Sequence, residues 1–196
     1  RMHPERPDAH ILWGRALAQN DQLAESIPHY EEARQLGSRD PRLFAELASA
    51  YDVAKKYPEA AAVYRDYLID HPTDVVMRDE LALTLLLLGQ VEAAVAELER
   101  AVQVAPDNLQ VQQDLGYAYL SAGAYEKARD TLRAVLGRDN TRPDAARLLA
   151  QAEVGLGHVP EAMHVLDVLL AAYPRDRAAA SLREKLAHGE VKPPER

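Results

Sequence analysis

The feature that most limits how this chain can fold is a spacing. Pro72 and Pro106 stand 34 residues apart, and Pro174 follows 68 later, twice that interval. Ala60, Ala94, Ala128 and Ala162 recur at the same 34, and so do Leu47, Leu81, Leu115 and Leu149. A period of this length, kept by several residue types together, marks stacked copies of one small supersecondary unit. In such an array each unit leans on its neighbours, so neither a single central core nor a deep central pocket is expected.

The period frames units at 7–40, 41–74, 75–108, 109–142 and 143–176. Each frame holds two segments of helical apolar periodicity joined by a short turn, which predicts five helical hairpins. The first helices are expected near 8–20, 41–54, 75–88, 109–122 and 143–156, and the second near 23–36, 58–70, 92–104, 125–136 and 160–172. Gly89, Gly123 and Gly157 sit where three of the first helices should end, a place that favours a left-handed residue. Pro58 and Pro160 open second helices, where a missing N–H is harmless. Pro4 precedes Pro72 by two periods, so residues 1–6 read as the tail of a preceding repeat and the chain as a fragment of a longer array. Beyond the fifth unit, 177–188 is expected to form a capping helix with Leu182 and Leu186 as its narrow apolar stripe, followed by a flexible tail at 189–196.

The residues at fixed phases resemble the tetratricopeptide repeat family. Position 7 of the units holds Trp13, Leu47, Leu81, Leu115 and Leu149, and position 8 holds Gly14, Ala48, Ala82, Gly116 and Ala150. Position 20 holds Ser26, Ala60, Ala94, Ala128 and Ala162; position 24 holds Tyr30, Tyr64, Leu98, Leu132 and Leu166. The fourth unit, with Leu115, Gly116, Tyr119, Gly123, Tyr125 and Ala128, follows the family pattern most fully. The resemblance covers about residues 7–176 and implies an all-α fold, an α-solenoid in which antiparallel hairpins form a right-handed superhelix. Small residues at positions 8 and 20 are explained by paired helices that cross there. Three departures stand out. Tyr67 replaces a small residue at position 27, Ser38 and Asn140 replace the terminal proline, and Glu153 occupies the normally apolar position 11. Either the fifth first-helix shifts its register, or Glu153 reaches a basic partner.

Signatures of chemistry are missing from the sequence. With no cysteine, disulfides, thiolate zinc sites and cysteine nucleophiles are excluded. Gly155 and Gly157 lie at a helix end and do not make a dinucleotide fingerprint, and no phosphate loop, serine elbow or zinc-protease helix is found. The seven histidines never fall four apart on one helix, so no metal site is expected, and no cofactor. The carboxylates read as solvated helix faces rather than catalytic pairs. A net charge of −8, without a Lys/Arg cluster, argues against a nucleic-acid partner. The most apolar stretch, 81–88, is far too short for membrane insertion. Within it, four successive leucines, Leu85 to Leu88, cannot all face inward at 3.6 residues per turn. They serve either the core and a tight interhelix contact, or, through Leu86 and Leu87, a binding groove.

By resemblance, positions 2, 5, 6, 9, 12 and 13 of each unit line a concave face. In the central units the expected partner-binding residues are Arg42, Glu46, Ser49 and Asp52, then Val76, Asp79, Glu80, Leu83, Leu86 and Leu87, then Gln113, Asp114, Tyr117 and Leu120. Such a groove is acidic and partly aliphatic. Family members that clamp a C-terminal carboxylate need groove cations, and acids stand here instead. Position 6 reads Leu12, Glu46, Glu80, Asp114 and Leu148, so the asparagine ladder that grips a peptide backbone in other members is missing. The expected partner is therefore a protein segment, helical or extended, that carries Lys/Arg beside apolar anchors.

The function expected is that of a non-enzymatic scaffold or adaptor. By resemblance, its setting is a bacterial multiprotein system for secretion, pilus formation, polysaccharide export or envelope assembly, in cytoplasm or periplasm. Arginine outnumbers lysine 18 to 5, which fits a GC-rich bacterial genome. The alternative is a regulatory or substrate-presenting arm of a larger enzyme, such as a glycosyltransferase or protease. The apolar end near Ile11, Leu12 and Trp13 is expected to be partly uncovered, and to favour self-association.

Overall fold

The computed structural model describes residues 6–191. Residues 1–5 of the expected preceding-repeat tail, and 192–196 of the expected flexible tail, lie outside the described residues. Eleven helices and no strand are found among the described residues: α1 (Pro7–Gln19), α2 (Leu23–Gln35), α3 (Pro41–Val53), α4 (Tyr57–Asp70), α5 (Val75–Leu87), α6 (Val91–Val104), α7 (Leu109–Ser121), α8 (Tyr125–Arg138), α9 (Pro143–Gly155), α10 (Val159–Ala172) and α11 (Arg177–Ala187). They form five hairpins and a terminal helix. The chain divides into two compact units between Glu97 and Leu98, within α6.

One turn design closes the first helix of every hairpin. The backbone N–H at position 16 donates to the carbonyl at position 11: Gln22 to Leu17, Lys56 to Tyr51, Gln90 to Leu85, Ala124 to Tyr119 and His158 to Glu153, all at 2.8–3.0 Å. This six-residue closure requires a left-handed residue between the two partners. Gly89, Gly123 and Gly157 supply it at φ +71°, +70° and +80°. Asp21 and Lys55 take the same conformation at φ +60° and +57°, although they carry a Cβ.

The next hairpin begins with a side-chain cap. Asp40, Asp74 and Asp176 accept from the N–H groups of Arg42 (3.0 Å), Met77 (3.1 Å) and Ala179 (3.0 Å), and Asn108 accepts from those of Gln110 and Val111. These four residues share position 34, where an oxygen-bearing side chain satisfies N–H groups that the helix leaves open. Arg142 holds that position in the fourth unit and gives no such cap.

In the first unit Leu43, Phe44, Leu47 and Ala48 of α3 are buried together with Ala60, Ala61 and Tyr64 of α4. In the second unit Ala146, Ala150 and Val154 of α9 pack with Ala162, Leu166 and Leu169 of α10, and Ala179 and Leu186 of α11 close over the same cluster. The small residues are small for a steric reason. A methyl on Gly14 would stand 2.5 Å from Tyr30 Cε1, and one on Gly116 would stand 2.6 Å from Leu132 Cγ. Position 20 is fully buried in all five hairpins.

The departures from pattern find local explanations. Tyr67 is buried; its hydroxyl donates to Asp74 at 2.8 Å and its ring stacks on His71 at 4.5 Å. The same Asp74 caps α5, so one carboxylate satisfies both the oversized side chain and the helix start. Glu153 does not shift the register of α9, and the basic partner it reaches is internal. It is wholly buried, Arg133 Nη2 donates to it at 2.5 Å, and His158 Nδ1 lies 3.0 Å away. This bond belongs to a series. Position 11 meets position 25 of the hairpin before it in Tyr51–Glu31 (2.8 Å), Tyr119–Glu99 (2.6 Å) and Glu153–Arg133. In the last pair acid and donor have exchanged places. The four leucines divide as helical geometry demands: Leu85 is buried, Leu86 and Leu88 are half-buried, and Leu87 is 64% exposed.

Candidate functional site

Within the first unit, α1, α3 and α5 border a trough. Its upper hollow, about 440 Å³, is lined by Arg15, Ala18 and Gln19 of α1, Leu23 and Tyr30 of α2, and Ala45, Glu46 and Ser49 of α3. Its lower hollow, about 330 Å³, is lined by Ala45, Ser49, Asp52 and Val53 of α3, Tyr64 of α4, and Val76, Met77 and Glu80 of α5. Ala45 and Ser49 line both hollows, so the two adjoin along α3. Small side chains at these two positions leave room that a leucine would fill.

Five residues expected from the sequence line this trough: Glu46, Ser49, Asp52, Val76 and Glu80. Arg42, Asp79, Leu83, Leu86 and Leu87 lie outside both hollows. In the second unit Tyr117 is exposed, and Asp114 and Leu120 are half-buried. Gln113 is buried, with its amide oxygen accepting from Arg142 Nη1 at 3.0 Å. The uncapped position 34 explains this, since Arg142 turns its side chain back onto α7 and covers Gln113.

The acids are not equivalent. Glu46 takes two bonds from Arg15 Nε, at 2.8 and 2.9 Å, and Arg15 also lies 3.6 Å from Asp40. Much of the negative charge that Glu46 was expected to offer is thus balanced internally. Arg15 would have emerged from counting position 9 in the first unit as well as in the central three. Asp114 accepts from Gln110 Nε2 at 3.0 Å; burial raises its pKa, against the pull of that bond and of Arg142. Asp52 is half-buried and accepts from Tyr64 Oη (3.0 Å) and Thr84 Oγ1 (3.3 Å). Burial raises its pKa too, the two hydrogen bonds oppose the rise, and no cation contributes.

No group of three or more His, Cys, Asp or Glu among the described residues is arranged to hold a metal ion. No helix among them is long and apolar enough to cross a membrane. A series of helical hairpins with an open trough is the architecture of a repeat scaffold. Tetratricopeptide repeat models match residues 11–75, 85–152 and 122–186, and the chain belongs to that family. The α-solenoid class that the resemblance implied is also that of its structural neighbours.

Among curated proteins the chain is 29% identical over 118 residues to BBSome complex member BBS4 of Bos taurus, covering 59% of this chain and 22% of that protein. It is 24% identical over 155 residues to U-box domain-containing protein 70 of Oryza sativa subsp. japonica, covering 78% and 19%. The chain thus spans about a fifth of the length of these relatives. Among solved structures, a tetratricopeptide repeat protein from Parabacteroides merdae superposes with a TM-score of 0.84 at 18% identity, covering 95% of this chain and 74% of that one. YrrB, described as having an unusual peptide-binding site, superposes at 0.79 with 20% identity, covering 92% and 93%. MamA from Desulfovibrio magneticus superposes at 0.78 with 18% identity, covering 90% and 99%. Likeness at these identities concerns the fold.

Proposed function

We propose that this chain is a non-catalytic protein-interaction scaffold that holds a segment of a partner, helical or extended, in the trough of its first unit. One observation carries the reading. The trough combines carboxylates at Asp52 and Glu80 with open apolar surface at Val53 and Val76, which are 66% and 63% exposed. Such a surface suits a basic segment with apolar anchors. The peptide-binding site ascribed to YrrB gives the reading a precedent on the same fold.

The test is a selection of displayed 12-residue peptides on the whole chain, followed by affinity measurements on the synthesised binders. Val76→Asp and Glu80→Lys change exposed residues and should leave the fold intact. Together they are expected to weaken binding about tenfold or more and to flatten its salt dependence. Undiminished affinity in the double variant would remove the trough from the proposal.

The finer setting proposed is a bacterial multiprotein assembly; the arginine-rich composition and the fold likeness to bacterial proteins support it. A second reading is an arm of a larger enzyme. Its support is one of proportion, since the matched length is only 22% and 19% of these relatives. Self-association is proposed through α1, where Leu12 and Trp13 are 59% and 53% exposed while Ile11 is buried. Trp13→Glu should then lower any concentration-dependent mass seen by sedimentation.

A further inference from the structure

We propose that the lower hollow of the trough is a pocket for one basic side chain, lysine or arginine, of the bound segment, with Asp52 as its counter-ion. The inference rests on the trough reading and adds the residue that sets its specificity. Asp52 differs from Glu46 on the same helix, whose charge Arg15 already balances. Both hydrogen-bond partners of Asp52 are neutral hydroxyls, Tyr64 Oη at 3.0 Å and Thr84 Oγ1 at 3.3 Å. No Lys, Arg or His contributes to the electrostatics of Asp52, in contrast to Glu46 beside Arg15. An ionised carboxylate can accept about four hydrogen bonds, so acceptor capacity remains.

Tyr64 Oη holds Asp52 in place from α4, and Thr84 Oγ1 of α5, whose one proton is shared with the carbonyl of Glu80 at 2.9 Å, supports it more weakly, so that Asp52 is positioned before any partner arrives. A half-buried carboxylate without a cation is an unfavourable state, which an incoming cation relieves. The walls match such a guest. Val53, Val76 and Met77 offer apolar surface along the hollow, and Ser49 and Glu80 offer oxygens at its lining. A long basic side chain lays its methylene stem on apolar surface and carries its charge at the tip.

The displayed-peptide binders serve as the probe. They are expected to carry a lysine or arginine next to an aliphatic residue. Replacing that residue by norleucine or citrulline should weaken binding to the unaltered protein about tenfold. Asp52→Asn keeps an acceptor for Tyr64 and should weaken the unaltered peptide by a similar factor. Combining both changes should cause little further loss, because they remove one shared interaction. Peptides that Val76→Asp abolishes but Asp52→Asn leaves untouched would overturn the pocket and keep the trough. Independent, fully additive losses would overturn it as well. Binders indifferent to both variants, or no binders, would remove pocket and trough together. Should Asp52→Asn fail to fold, the norleucine peptide still tests the pocket on the unaltered protein, and undiminished binding there would overturn it.

Discussion

At the scale of single residues, the buried polar groups carry the clearest consequences. Glu153 is enclosed, while Arg133 and His158 keep about half of their side-chain surface in water. Removing the acid lets both return to solvent, and an apolar replacement restores what position 11 usually holds. Glu153→Leu should therefore unfold at the same temperature or higher, whereas Glu153→Ala, which leaves a cavity, should be less stable by about 2 kcal/mol. Thermal melts followed by circular dichroism check both.

The tyrosines give a pH prediction. Burial, aided by acidic neighbours, pushes the phenols of Tyr30, Tyr51 and Tyr67 up to about 12, and raises those of Tyr64 and Tyr119 as well. An unfolded phenol ionises near 10. The unfolded chain therefore releases these protons first, and the stability they contribute, complete below pH 10, is lost as pH rises towards 12. Urea unfolding across that interval should show a steady decline, with tyrosinate absorbance appearing as the helices melt. Flat stability from pH 10 to 12 would contradict it. The sequence marked Tyr67 and Glu153 as departures, but their partners could not be read from it. Each answer depends on which side chain the neighbouring helix presents.

At the scale of helices and turns, the sequence was most legible. The period located every helix within about three residues at either end. The glycines at position 15 revealed the left-handed turn in three hairpins. Asp21 and Lys55 hid it in the other two, because propensity argues against a conformation that the flanking closure imposes. Lys55→Gly should therefore stabilise the protein by about 1 kcal/mol in urea denaturation. The capping residues at position 34 were equally available to inspection, since Asp40, Asp74, Asn108 and Asp176 share a phase. Asp74→Ala removes the cap of α5 and the acceptor of Tyr67 together. A loss of about 1–2 kcal/mol is expected, more than an isolated cap would give.

At the scale of the whole chain, the family followed from the repeat length together with the residue types held at fixed phases. The lining of the trough followed only in part. Counting positions identified five trough residues, because exposure on a repeat follows phase. It could not foresee that Arg15 balances Glu46 across two hairpins or that Arg142 folds back onto Gln113 within its own repeat, since long side chains reach well beyond their own positions. In repeat arrays stability is held mainly between neighbours. Leu186 of α11 closes over Leu166 and Leu169, so Leu186→Asp should open the end of the array first. Hydrogen exchange should then quicken in α9 to α11 while α1 to α4 keep their protection; uniform acceleration would speak against this.

The linkage between positions 11 and 25 has one more implication. Its chemistry is tyrosine on glutamate twice, then glutamate under arginine. The modules are therefore not interchangeable bricks. Splicing the fifth directly behind the third would set Glu153 against Glu99, acid on acid, one of them sealed from solvent. The order of assembly is written into these mating surfaces, and a reshuffled gene would encode an ill-fitting product.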